Sequence, residues 1–269
     1  MVLTHLSLFS GIGGLDLAAE MTGEIETVGQ CEWADYPTQV LKKHWPDVPR
    51  WRDIRTLTQE DFYERTGMRT VDIISGGFPC QPHSLIGKRL ADKDDRHLWP
   101  EFMRVVREFK PRVVVGENVQ GILSTIHDTV LSDLESENYK TWTFSVPAYA
   151  VGAHHERYRI FIVGLSEGQS RLQANTKRNP GRKGREIWKN PLRKPWDCLP
   201  GTYWAVHKPP VCGMADGLPD WMDGYTEYKK IMTSLGNAVV PQQAYPIFQA
   251  IARSARIARS ENECITHNT

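Results

Sequence analysis

The sequence has no long hydrophobic run. Its longest apolar stretches, such as Val113–Val115 and Ile160–Val163, are of strand length, too short for a membrane-crossing helix. Cysteine is scarce: Cys31, Cys80, Cys198, Cys212 and Cys264 make an odd count, and no two stand in a CxxC pair. That argues against a disulfide framework and a zinc ribbon, and no metal site is expected. An excess of charge of one sign is also missing, since 33 Lys and Arg face 32 Asp and Glu. The run from Met1 to Phe9 lacks a basic leader, and Asp16 and Glu20 follow soon after. No secretion signal is therefore expected, and the chain reads as a cytoplasmic protein with reduced thiols. There is no internal repeat.

What remains is ordinary globular material. With 269 residues, 40% hydrophobic and 24% charged, the chain can bury a sizeable core. Apolar strand-like runs alternate with amphipathic helical patterns. His5–Phe9 is followed by Leu15, Ala18 and Ala19 at helical spacing; a second run spans Val28 to Glu32, and Asp53-Ile54 closes a third. Val71–Ser75 and Val113–Val115 read as buried strands. Between them Leu98, Phe102, Val105, Val106 and Phe109 lie on one helical face, stopped by Pro111. Ile126, Val130, Leu131 and Leu134 predict another helix, Trp142–Val146 and Ile160–Gly164 two more strands. The pattern predicts an α/β fold with a doubly wound, mostly parallel sheet covered on both faces. Residues 1–165 form the catalytic and cofactor-binding domain on this reading. Residues 166–230 are a small, irregular, basic recognition region, and 231–269 complete the first domain. Pro241 to Ala258 reads as a helix with Ala244, Ile247, Phe248 and Ile251 in one stripe, followed by a frayed polar tail from Ser260.

Four constellations carry chemistry. Phe9-Ser10-Gly11-Ile12-Gly13-Gly14 sits between the first strand and first helix, where glycines let the backbone turn tightly against a ligand. No Lys-Ser/Thr follows them, so a triphosphate loop is excluded. Glu32 ends the second strand, where an acidic residue takes ribose hydroxyls in nucleotide-type folds. Phe78-Pro79-Cys80-Gln81-Pro82 puts a thiol at the carboxyl edge of the sheet. A free thiol has a pKa of about 8.5 and needs a positive field to act as a nucleophile; Arg157 and Arg159 are candidates for it. Glu117-Asn118 follows the neighbouring strand, where desolvation raises a carboxyl pKa. His154 and His155 cannot share a helical face, and no third metal ligand is suitably spaced.

Taken in order, these motifs resemble the C5-cytosine DNA methyltransferases, with Arg157-x-Arg159 and Gly236-Asn237-Ala238-Val239 completing the set. The resemblance implies S-adenosylmethionine as cofactor and S-adenosylhomocysteine as product. It implies cofactor contacts from Phe9, Gly11, Gly13, Gly14, Glu32, Trp33, Asp53, Ile54, Pro79, Asn237 and Val239. Cys80 is the implied nucleophile, Glu117 acts at the base edge, Arg159 helps hold the flipped base, and Arg157 is counted with them among the catalytic residues. Gln81, Ser84, Arg89, Lys183 and Arg185 are the implied DNA contacts, and residues 85–97 the loop that closes over DNA. The implied partner is double-stranded DNA, with a cognate restriction endonuclease in the same system, and the protein is expected as a monomer without a membrane partner. A tRNA methyltransferase of the same fold and an inactive DNA-binding relative are the alternatives; Gln81 favours DNA. Two positions depart from the family pattern: His83 replaces an aromatic residue and His155 a glutamine. Gly217-Leu218-Pro219-Asp220 is the candidate for the motif that ends the recognition region.

The near-neutral charge hides an asymmetry. Residues 166–269 hold 15 Lys and Arg against 9 Asp and Glu, whereas residues 1–165 hold 18 against 23. A basic half of this kind suits contact with phosphates.

Overall fold

A computed structural model describes residues 2–79, 98–153, 155–166, 233–234 and 236–266, with side chains up to residue 257. Seven strands among these residues form one sheet in the order β3-β2-β1-β4-β5-β7-β6. The strands are β1 (Leu3–Leu8), β2 (Ile25–Cys31), β3 (Arg50–Trp51), β4 (Ile73–Gly76), β5 (Val113–Val119), β6 (Tyr139–Val146) and β7 (Arg159–Ser166). The helices are α1 (Gly14–Glu20), α2 (Asp35–His44), α3 (Gln59–Thr66), α4 (Trp99–Phe109), α5 (His127–Ser136) and α6 (Pro241–Thr266). β1 to β5 pair parallel, and β7 runs antiparallel to both β5 and β6. The expected doubly wound, mostly parallel sheet is present.

Alternation along the strands sends side chains to two cores. Ile74, Val114, Ile160 and Ile162 face α3, α4 and α5, where Phe62, Phe102, Phe109, Val130 and Leu134 are buried. Ile73, Val113, Val115 and Phe161 face the other way, against Leu15, Ala18 and Ala19 of α1 and Ala244, Phe248, Ala252 and Ala255 of α6. The small alanines let α1 and α6 approach closely, while each large apolar side chain in these layers contributes about 1.5–3 kcal/mol of burial. His5 lies in the sheet interior between Thr27 Oγ1 at 3.0 Å and Ser75 Oγ at 2.7 Å. Burial pushes its imidazole down to about 3, so it stays neutral.

Three expectations need correction. β5 continues to Val119, so Glu117 and Asn118 lie inside the strand rather than after it. The cause is β7, which pairs Glu117 with Phe161 and Asn118 with Ile160 and so extends the ladder. The last helix runs to Thr266, so the stretch from Ser260 is helical rather than frayed. No glycine or proline interrupts residues 247–266, which explains its length. Its buried stripe is Ala244, Phe248, Ala252 and Ala255; Ile247 and Ile251 are only half-buried.

Candidate active site

The carboxyl ends of the parallel strands and the start of β7 lie along one edge of the sheet. The connections leave in opposite directions from β1 and β4, so a crevice opens between them. All the described motif residues border this edge or the segment before α6.

The chain leaves β1 through Phe9 at φ 51°, and Gly11 and Gly13 follow at φ 55° and 89°. These left-handed positions suit glycine and strain other residues. A Cβ on Gly13 would meet the Trp45 ring at 2.5 Å, and one on Gly14 would meet the Val239 carbonyl at 2.6 Å. Beside Gly11, by contrast, there is open space. Glu32 spans the crevice mouth: one carboxylate oxygen accepts from Gly11 N–H at 2.8 Å and the other from Ala34 N–H at 2.7 Å. Trp33 is 70% exposed, an uncommon state for so large a ring. Its carbonyl accepts from Arg52 Nη2 at 2.5 Å. Asp53 caps a 3-10 turn over Ile54–Thr56 by accepting from Arg55 N–H at 3.0 Å.

At the other side of the crevice, Glu117 Oε1 lies 2.9 Å from Arg159 Nε, and both side chains are largely buried. Burial pushes the Glu117 carboxyl up to about 7, while Arg159 and Arg157 pull it back toward the charged form. A buried pair of this kind can hold or release a proton near neutrality. Arg157 sits at φ 31°, and its Nη2 donates to the carbonyls of Gly236 and Ala238 at 2.5 and 2.6 Å. Asn237 is exposed and Val239 half-buried, with Val239 against Gly14.

Three further residues support the site through contacts made only in the fold. Asn118 Nδ2 donates to the Phe78 carbonyl at 2.9 Å, tying β5 to the segment that leads through Pro79 to Cys80. Phe78 is buried beside the rings of Trp99 and Phe102, at centroid distances of 4.8 and 5.7 Å. Arg104 of α4 donates to the carbonyls of Ile54 at 2.7 Å and Leu57 at 3.1 Å, fixing the turn that carries Asp53. The Asn118 signal was adjacent to Glu117; the other two depend on contacts distant in sequence. Cys80, Gln81, Ser84, Arg89, Lys183 and Arg185 lie outside the described residues, as do His83 and Gly217–Asp220. His155 is exposed.

A doubly wound sheet with a glycine turn after β1 and a carboxylate after β2 has the architecture of nucleotide-type α/β folds. The family model for C-5 cytosine-specific DNA methylases matches residues 3–195, most of the chain, and the protein belongs to that family. Its relatives include Type II methyltransferase M.HgiCII of Herpetosiphon aurantiacus, 31% identical over 170 residues, covering 60% of this chain and 37% of that protein. Type II methyltransferase M.NgoFVII of Neisseria gonorrhoeae is 34% identical over 165 residues, covering 60% of this chain and 43% of the relative. The chain thus spans well under two thirds of the length of these curated relatives. Among solved structures, a putative DNA modification methyltransferase encoded within an E. coli prophage aligns with TM-score 0.51 and 27% identity, covering 61% of this chain and 47% of that one. Spodoptera frugiperda DNMT2 shares the fold at TM-score 0.54 and 24% identity, covering 65% of this chain and 53% of that one. No described helix is long and apolar enough to cross a membrane.

Proposed function

We propose that the protein transfers a methyl group from S-adenosylmethionine to carbon 5 of a cytosine flipped out of duplex DNA. The observation that carries this reading is the buried Glu117–Arg159 pair, 2.9 Å apart, with Glu117 on β5 beside the strand that leads to Cys80 and Arg159 at the start of β7.

The crevice fits the cofactor. Glycines turn the chain sharply where a Cβ would clash at Gly13 and Gly14, and the side of Gly11 is open. Glu32 would bind the ribose, the exposed Trp33 ring would stack on the adenine, and Asp53 and Ile54 would border the base. Phe9, Pro79, Asn237 and Val239 would complete the site. When bound, S-adenosylmethionine supplies an electrophilic methyl group and leaves as S-adenosylhomocysteine.

The protein's own part follows from cytosine chemistry. Carbon 5 is a poor nucleophile until a thiolate adds to carbon 6. Cys80 would form that bond, sending an electron pair to carbon 5, which then takes the methyl group. Protonated Glu117, hydrogen-bonded at ring nitrogen 3, would relieve the charge that builds on the ring, and Arg159 would orient both Glu117 and the base. A base, water included, removes the carbon 5 proton, and the Cys80–carbon 6 bond breaks. A cytosine stacked inside a duplex cannot reach such an edge, which is why the base must be flipped. Gln81, Ser84, Arg89, Lys183 and Arg185 would contact the DNA, within a recognition region at residues 166–230. A monomer in the cytoplasm, working beside a restriction endonuclease, completes the proposal.

The test is methyl incorporation from labelled S-adenosylmethionine into duplex DNA or tRNA. Incorporation into DNA at cytosine is expected, and Cys80→Ala should abolish it while leaving cofactor affinity nearly intact. Incorporation into tRNA alone would overturn the DNA assignment, and an active Cys80→Ala variant would overturn the nucleophile.

A further inference from the structure

The segment that precedes α6 is fastened at both ends to the loop between β6 and β7. Arg157, in that loop, donates Nη2 to the carbonyls of Gly236 and Ala238, which lie 79 and 81 residues further along the chain. Its backbone stands at φ 31°, a conformation that is costly for a residue with a Cβ. In the reverse direction Gln243, in the first turns of α6 and fully buried, donates Nε2 to the carbonyls of Val146 at 2.6 Å and Arg157 at 2.9 Å. Val146 ends β6, so Gln243 pins the loop near its start and again at Arg157.

Each end of this arrangement meets one half of the site. Val239, inside the fastened segment, lies against Gly14, whose missing side chain leaves room for the Val239 carbonyl. Gly14 opens α1 and ends the glycine turn, and Gly11 of that turn donates to Glu32. On the other side, Arg159 stands two residues beyond Arg157 and pairs with Glu117, while its Nη1 donates to the Tyr158 carbonyl at 2.9 Å. Contacts joined by short chain segments therefore run from Glu32 to Gly11, from Gly14 to Val239, from Ala238 to Arg157, and from Arg159 to Glu117. Packed elements shift as units rather than deform smoothly, which makes such a path suited to coupling its two ends.

We propose that Arg157 and Gln243 form a latch that couples cofactor binding to the geometry of the Glu117–Arg159 pair. Both act as positioning residues: they hold backbone carbonyls, through which the cofactor loop and the base-edge pair are set against each other. This inference rests on the methyl-transfer reading, because the coupling it describes is between cofactor and nucleic acid. A latch predicts reciprocity, in that cofactor raises affinity for DNA by the factor by which DNA raises affinity for cofactor.

The experiment measures DNA affinity of the full chain with and without saturating S-adenosylhomocysteine, by fluorescence anisotropy on cytosine-containing duplexes. Coupling of roughly 5–150-fold is expected in the parent, the range usual for linked sites. In Gln243→Met, which keeps the side-chain volume and loses both donors, the factor should fall close to one, with S-adenosylhomocysteine still bound. Arg157→Met should do the same, and Arg157→Lys, which keeps a donor, should recover part of the coupling. A purely structural role would lower the melting temperature and leave the coupling factor in place. Coupling that survives in a folded Gln243→Met or Arg157→Met variant overturns the latch, as does its absence in a parent that binds both ligands. If Gln243→Met does not fold, the contrast between Arg157→Met and Arg157→Lys decides: equal coupling in the two overturns the proposal. A parent that binds neither ligand refutes the methyl-transfer reading itself, and the latch with it.

Discussion

Gly77 and Glu117 are packed so closely that a Cβ on Gly77 would lie 2.8 Å from Glu117 Oε2. Real Cβ atoms do not approach an oxygen so nearly, and Glu117 is held by Arg159 and cannot swing freely. Gly77→Ala should therefore displace the carboxylate and leave the cofactor crevice alone. The expected result is a folded protein with near-parent affinity for S-adenosylhomocysteine and methyl transfer reduced by about 10²-fold or more, the scale of a misplaced acid–base group. Parent-like turnover in this variant would remove Glu117 from the reaction.

The Glu117 carboxyl titrates at about 7 because burial outweighs the attraction of Arg159 and Arg157. If its protonated form serves the base, kcat/KM falls as pH rises through that value. Glu117→Gln holds a hydrogen-bond donor at every pH but cannot exchange a proton. Its profile should lose the descending limb near pH 7, and its rate should drop by about 10²–10⁴-fold. A pH–rate series on both proteins checks this, and an unchanged limb in the variant assigns the limb to another group.

Asn118 bonds the Phe78 carbonyl with Nδ2 and accepts from Val119 N–H at 2.9 Å with Oδ1. Asn118→Ala leaves the carbonyl at Phe78 without this buried partner, at a cost of about 1–3 kcal/mol. Because Phe78 precedes Pro79 and Cys80, the loss of activity should exceed what the lower stability explains. Urea unfolding gives the first quantity, and turnover well below the unfolding midpoint gives the second.

Asp16 is fully buried in α1, where it accepts from Ser7 Oγ at 2.9 Å and Gln30 Nε2 at 2.8 Å. Burial pushes its carboxyl up from 3.8 to about 6 in spite of these bonds. The folded state thus binds its proton more tightly than the unfolded state does. Its stabilising contribution is complete below about pH 4 and lost as pH rises through 6, by about 3 kcal/mol at 1.36 kcal/mol per unit. Asp16→Asn removes the titration. Its stability relative to the parent should rise by about 2–3 kcal/mol between pH 4 and pH 7, read from urea unfolding at each pH. A flat difference across that window would mean that Asp16 does not titrate there.

The parts of the site legible in sequence are those written locally. The glycine turn, Glu32, Asp53 and Glu117 each follow or end an apolar run, and strand ends in a doubly wound sheet share one edge. Residues that meet through pairing of distant strands are less legible. Arg159 is an evident cation in sequence, but its ion pair with Glu117 arises only because β7 turns antiparallel beside β5. Arg104 reads as a polar position on the outer face of an amphipathic helix, yet it holds the turn behind Asp53. Gln243 sits in a helix whose apolar stripe was read from Ala244 and Phe248, and nothing local marks a buried glutamine as a tie between two loop ends. The extent of β5 is hidden for the same reason: Glu117 and Asn118 have weak strand preference, and the neighbouring strand overrides it.

The two alanines of α1, Ala18 and Ala19, are covered by a helix that begins at Pro241, more than two hundred residues later. A nascent chain must therefore extend more than two hundred residues beyond α1 before this layer closes. Until then an apolar face stays open to water and chaperones, and the wall of the crevice against Gly14 is missing. A chain that stops short of Val239 therefore lacks this wall beside the glycine turn.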